Sequence, residues 1–233
     1  MNRHTAVLSH LLLNEWRSYV RNKRLRTTML LSLLFMLMGM GLMFDLRSNP
    51  KFLNIVGSAI LINSAAGMLG PFILNKDGVF FDGIMTRPVR VNQYILAKFI
   101  FLLTFSVLSF LVALPFIFFL DLPDIFRLLL VGILVYTLGV GIFLVIWFSS
   151  FDTNKIDYQQ MELFNYDGIA ILKQLITLPP FLPIVFFVQY RNLGIVLMLI
   201  TGVLNLLFIK RWLQLISRNL SNRKYRVLEG FRH

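Results

Sequence analysis

Residues 27–44 read TTMLLSLLFMLMGMGLMF, a run with no charged side chain and no alternation of polar with apolar positions. A bilayer core takes about 17–25 mostly apolar residues per helical crossing, so this stretch is long enough to span. A barrel strand would alternate with period two, and this run does not, which leaves a helix. Working outward, the stretches 52–74, 93–120, 125–148, 169–188 and 193–212 have the same character. They set off an N-terminal segment, 1–26, a membrane domain, 27–213, and a basic tail, 214–233. The first span lies too deep in the chain for a cleavable signal peptide, and no small-residue cleavage site follows it. The expected fold is all-α: a polytopic membrane protein with six transmembrane helices.

Composition excludes the alternatives. Of 233 residues, 57% are hydrophobic and only 15% are charged, where a soluble domain has roughly 25% charged. Mean hydropathy is +0.73. A soluble enzyme and a disordered chain are both ruled out. With no Cys there is no disulfide framework, no thiolate nucleophile and no Cys-bound metal. The net charge of +12 is explained by its distribution. With the N-terminus inside, six crossings put nineteen of the 23 Lys and Arg on the cytoplasmic side. Only Arg47, Lys51, Arg127 and Arg191 fall outside. This is the positive-inside bias, with both termini cytoplasmic and anionic headgroups of the lipid bilayer as the natural partner. Nucleic acid is not an expected partner.

Three segments between the spans are informative. In the N-terminal segment Leu8, Leu12, Trp16 and Tyr19 recur at helical spacing, with Asn14, Glu15, Arg17, Ser18 and Arg21 off that stripe. Such a helix lies along the inner membrane interface. The connection between spans two and three reads NKDGVFFDGIMTRPVRVN. Asp77 is placed to cap a short helix there, and Pro88 limits it through Arg87. Phe80, Phe81, Ile84 and Met85 share one face. Lipid covers such a face as readily as a groove on a soluble partner does. The connection between spans four and five carries Asp152, Asp157, Glu162 and Asp167 against Lys155 alone. It is a solvated loop or a second partner contact, through Asp157, Tyr158, Glu162 and Phe164.

Chemistry within the spans is sparse. All 11 acids fall outside the hydrocarbon, so no buried carboxylate is expected for a proton or sodium relay. Lys98 and Lys173 sit near inner helix ends, where snorkelling is the ordinary explanation. The three His, at positions 4, 10 and 233, lie at the termini, and no P-loop pattern is present. No catalytic, cofactor-binding or metal residue is expected, and the energy for any work must come from another chain. Span two concentrates small and polar residues, Asn63, Ser64 and Gly67 among them, as helix packing or a substrate path requires. Pro179 and Pro180 break span five, which is tolerated only where protein or water satisfies the freed carbonyls. Pro115 is placed to kink span three, and Gly139 and Gly141 in span four are ordinary for a membrane helix.

This order of parts resembles the ABC-2-type permease family, the membrane half of ATP-binding-cassette exporters. That family has an interfacial N-terminal helix, six spans and a cytoplasmic coupling helix between spans two and three. The matching residues here are Asp82, Gly83, Ile84 and Met85, then Arg87 and Pro88, then Tyr94 and Lys98. The stretches FFDGIMTRPVRVNQYILAK, NKIDYQQMELFNYDG and RKYRVLEGFR look like an uncharacterised bacterial family of ABC-2-permease-like proteins. The resemblance implies a separate cytoplasmic ATPase that binds ATP and Mg, a second permease copy in a homodimer, and the bacterial cytoplasmic membrane. It also assigns ATPase coupling to residues 77–88. One departure is that only Gln189 to Asn192 separates spans five and six, without room for the family's re-entrant helix pair. A membrane scaffold that docks a partner without moving a substrate is the alternative.

Overall fold

The structure is a computed structural model that describes residues 3–43, 52–80, 83, 90–119, 124–151, 182 and 192–232. Among the described residues every regular element is helical. Four helical stretches are long and apolar enough to cross a membrane, at Lys23–Met43, Leu53–Gly78, Val91–Pro115 and Asp124–Ser149. A bent pair over Asn192–Arg223 makes a fifth if counted as one span. This is the architecture of a multi-pass helical membrane protein. The expected span at 169–188 lies outside the described residues, as does the connection that precedes it.

Helix α1, Arg3–Arg21, joins α2, Lys23–Met43, through the single residue Asn22. The Asn22 side chain explains the break: its Oδ1 accepts from the Arg24 N–H at 3.0 Å and the Leu25 N–H at 3.5 Å. These are the first-turn donors that a helix leaves unsatisfied, and Asn is a preferred cap for them. The first span therefore starts at Lys23, with its basic residues already helical, four residues before the apolar run. One face of α2 buries Met36, Gly39, Met40 and Met43, while Leu30, Leu34 and Leu37 are exposed. In a bilayer that exposed face meets acyl chains.

Helix α3, Phe52–Leu69, is the centre of the bundle. Asn54, Ser58, Ala59, Leu61, Ile62, Asn63 and Ala66 are all fully buried. Small residues make this possible, because a Cβ added at Gly57 would lie 2.8 Å from the Gly39 carbonyl oxygen of α2. Pro71 ends the α-helical bonding, since it brings no N–H, and a 3-10 turn over Gly70–Phe72 follows. A second 3-10 segment, Asn75–Phe80, carries the chain out of the bundle.

Helix α4, Val91–Phe119, is 29 residues long and continues through Pro115. At 1.5 Å per residue it measures about 43 Å, more than a hydrocarbon core of about 30 Å needs. Helix α5, Asp124–Tyr136, passes through a π turn at Thr137–Gly141 into α6, Ile142–Ser149. One glycine of that turn, Gly139, is not ordinary. A Cβ at Gly139 would come within 2.1 Å of the Gly202 carbonyl oxygen, so the backbones of two helices touch there.

The stretch expected as the last span, 193–212, is bent near its end. Helix α7 covers Asn192–Leu207, the chain bends by 68° at Phe208, and α8 runs over Ile209–Arg232. Ile209 and Trp212 pack on the protein. Leu213, Ile216 and Leu220 follow them on the same buried side. The expected tail is thus a long amphipathic helix, continuous with the end of the apolar run.

Two clusters form the core. One gathers Tyr19, Leu25, Leu69, Tyr94, Phe99, Phe143, Ile146, Leu213 and Ile216, at the end where α1 and α8 pack. The other gathers Met40, Ile55, Ile62, Phe126, Leu130, Ile133, Ile195 and Met198.

Candidate functional site, a buried ring of four charges

The stripe on α1 that faces the protein is Leu8, Leu12, Glu15 and Tyr19, spaced by four, three and four residues. Tyr19 is 0% exposed and Glu15 only 6%. Glu15, assigned to the polar face by the pattern, therefore turns inward. Trp16 is 47% exposed and forms an outer stripe with Leu13 and Val20. Its ring stacks on Phe105 of α4 with centroids 6.2 Å apart.

Glu15 turns inward because two ammonium groups wait there. Lys76 of the 3-10 segment is 2% exposed and lies 2.7 Å from Glu15 Oε2. Lys98 of α4 is 0% exposed and pairs with Glu15 Oε1 through its Nζ. Asp77 completes the figure, its Oδ1 3.4 Å from Lys76 and its Oδ2 paired with Lys98. Four charges thus alternate in sign around a closed ring, Glu15, Lys76, Asp77 and Lys98. The ring is electrically neutral.

Neighbouring groups complete the solvation. Tyr94 donates its hydroxyl to Asp77 Oδ2 at 2.7 Å, and Lys76 donates to the Ser18 hydroxyl at 2.7 Å. Each ammonium also faces an aromatic ring, Lys76 at 5.0 Å from the centroid of Tyr19 and Lys98 at 4.8 Å from that of Tyr94. Local spacing arranges this, since Glu15 and Tyr19 are one turn apart on α1 and Tyr94 and Lys98 one turn apart on α4.

The snorkelling expected of Lys98 is corrected by this geometry. Its Nζ does not reach for water, because two carboxylates solvate it inside the protein. The expectation that no acid is buried is corrected for Glu15. Asp77 lies in the first turn of the 3-10 segment and serves the ring, while most of the short helix expected over 77–88 lies outside the described residues. The clue in the sequence was a Lys set two turns into an apolar helix, which requires a counter-ion when it faces inward.

Of the other expected site residues, Phe80 ends the 3-10 segment and Gly83 is exposed. Phe81, Asp82, Ile84, Met85, Arg87 and Pro88 lie outside the described residues, as do Asp157, Tyr158, Glu162, Phe164, Pro179 and Pro180. Asn63, Ser64 and Gly67 are buried mid-bundle. There the Thr137 hydroxyl donates to Asn63 Oδ1 at 2.6 Å and shares its proton with the Ile133 carbonyl at 2.7 Å. Among the described residues Ser64 bonds its own helix, through the Leu61 carbonyl at 3.2 Å. The Asn63 side chain thus links α3 to the π turn.

Chemically the ring is a clamp. Each carboxylate is held by two ammonium groups. Among the described residues no three His, Asp or Glu side chains converge as a metal site. What the ring does is join three elements, α1, the 3-10 segment and α4, at one point. No curated protein and no solved structure matches the chain. One family does match, over residues 2–233, and the chain belongs to it: DUF5687, a family of unknown function.

Proposed function

We propose that this chain is the permease subunit of an ATP-binding-cassette exporter of the ABC-2 type. It sits in the bacterial cytoplasmic membrane with both termini inside, works as a homodimer and is driven by a separate cytoplasmic ATPase. Six spans follow if α7 and α8 supply one crossing and 169–188 another, beside the four helical spans given above. ATP and Mg belong to the ATPase, and this chain is no enzyme by itself.

The charge ring carries this reading. It lies beside the connection between the second and third spans, the place where a coupling segment must transmit force. Lys76 and Asp77 lie in the first turn of the 3-10 segment that ends at Phe80, Lys76 clamped to α1 and Asp77 to α4. A displacement of residues 81–89 by a partner therefore moves the third span and the interfacial helix with it. Rigid elements pivoting together are how closure of one subunit changes access in another.

The test is affinity purification in mild detergent. The wild type should recover an ATPase chain. Phe81→Asp should weaken that recovery tens- to hundreds-fold, since a docked aromatic contributes about 2–4 kcal/mol and the carboxylate adds an unpaired buried charge. Asn222→Ala, at an exposed position on α8, is the control and should recover the ATPase fully. Absence of any ATPase from the wild type, or full recovery with Phe81→Asp, would overturn the assignment.

A further inference from the structure

The surface of α7 changes character within one turn at the bend. Leu193, Val196, Ile200, Val203, Leu204 and Leu207 are all exposed apolar side chains, the last 74% exposed. Phe208 is the last of this strip, and from Lys210 to Arg218 the exposed residues are Lys210, Arg211, Gln214, Leu215 and Arg218. Such a change marks where hydrocarbon gives way to headgroups.

The inward face of α8 fixes which side remains available. Leu213, Ile216 and Leu220 are buried, Trp212 stacks on Phe143 at 6.2 Å, and Asn219 donates to the Ser150 hydroxyl at 3.1 Å. The helix cannot roll. Its outer face keeps Phe208, Arg211, Leu215 and Arg218 in line, with the Arg211 guanidinium 5.3 Å from the Phe208 ring centroid. Basic groups alternate here with exposed apolar ones. No acid lies between Asp167 and Glu229, so nothing on α7 or on the first five turns of α8 neutralises them.

We propose that the α7–α8 elbow is an anionic phospholipid site. Lys210, Arg211 and Arg218 hold the headgroup phosphate, and Leu207, Phe208 and Leu215 enter the acyl region beneath it. The 68° turn makes this possible, because it lays α8 across the direction of α7 and brings its basic face to headgroup level. A soluble acidic partner would need the charges but not the apolar residues between them. A zwitterionic lipid would need the apolar residues but not the charges. The combination selects an anionic lipid. This inference stands apart from the transport reading.

The test uses the absence of native cysteine. The full chain carrying Gln214→Cys, labelled with a polarity-sensitive dye, is titrated in detergent with a short-chain phosphatidylglycerol and, separately, with the matching phosphatidylcholine. A saturable shift with phosphatidylglycerol alone is expected. Lys210→Gln should weaken it about fivefold, and the triple Lys210→Gln, Arg211→Gln, Arg218→Gln about a hundredfold. The charge-preserving pair Arg211→Lys, Arg218→Lys should retain it, which separates loss of charge from loss of fold. Equal responses to the two lipids, an undiminished response in the triple variant, or equally tight binding of inorganic phosphate would each overturn the proposal.

Discussion

Replacing Glu15 by Gln removes one negative charge from a ring of two acids and two lysines, leaving Lys76 and Lys98 to share Asp77. Breaking a buried ion pair by removing one partner costs about 3–5 kcal/mol, because an uncompensated charge stays behind. Glu15→Gln is therefore expected to lower the thermal midpoint of the purified chain markedly. The second half of the prediction concerns balance. Lys76→Gln added to Glu15→Gln leaves Lys98 and Asp77 as a neutral pair, so the double variant should be more stable than Glu15→Gln alone. Midpoints measured for the two single variants and the double decide this, and an additive loss would show that neutrality does not hold the ring together. Legibility at this scale was poor for a physical reason. Helical periodicity sorts residues by polarity, and Glu15 is a polar residue placed inward by charges 61 and 83 positions away. Tyr19, one turn on, belongs to the apolar stripe as expected, but here that stripe packs into the protein core and not along the membrane interface.

At the scale of helices, close approach decides more than propensity. Gly139→Ala should be costly, since its Cβ would sit 2.1 Å from a backbone oxygen of α7 that cannot swing aside as a side chain can. Overpacking of this kind costs about 1–3 kcal/mol or more. Gly41→Ala is the contrast. It lies on α2 with open space around the added carbon, and Ala gains about 0.5–1 kcal/mol over Gly in a helix. Thermal midpoints of the two variants should therefore move in opposite directions, and a neutral Gly139→Ala would refute the crossing. The apolar runs did reveal α2, α3, α4 and the continuous α5–α6 rod, because all-round hydrophobicity is what a membrane helix requires. Boundaries were lost where something other than hydropathy sets them. The Asn22 cap begins α2 before its apolar run, and Phe208 ends α7 inside one. The π turn at Thr137–Gly141 had no sequence signal beyond two glycines that any membrane helix can carry.

For the whole molecule, charge and burial point to one direction of insertion. The basic residues at the α1–α2 junction, Arg21, Lys23, Arg24 and Arg26, stand beside the first span, and those of α8 beside the last. Both helices pack on the same core cluster, through Tyr19 and Leu25 at one end of the chain and Leu213 and Ile216 at the other. By the positive-inside bias, two amphipathic, basic helices at one end of a bundle are expected on the anionic, cytoplasmic side of the membrane. Single cysteines test this in an otherwise cysteine-free chain. Asn222→Cys, exposed on α8, should react with an impermeant thiol reagent only when the inner face is accessible. Asp124→Cys, exposed at the start of α5, should react from outside. Changing Arg21, Lys23, Arg24 and Arg26 together to Gln should produce a mixed population at both sites, since the bias that orients the first span is then gone. Labelling of both cysteines from one side in the wild type would require an even number of crossings between residues 124 and 222. If the helix through Ser149 and the α7–α8 pair each cross once, the odd number expected here depends on a further crossing between residues 152 and 191. The same experiment therefore counts the spans and orients them.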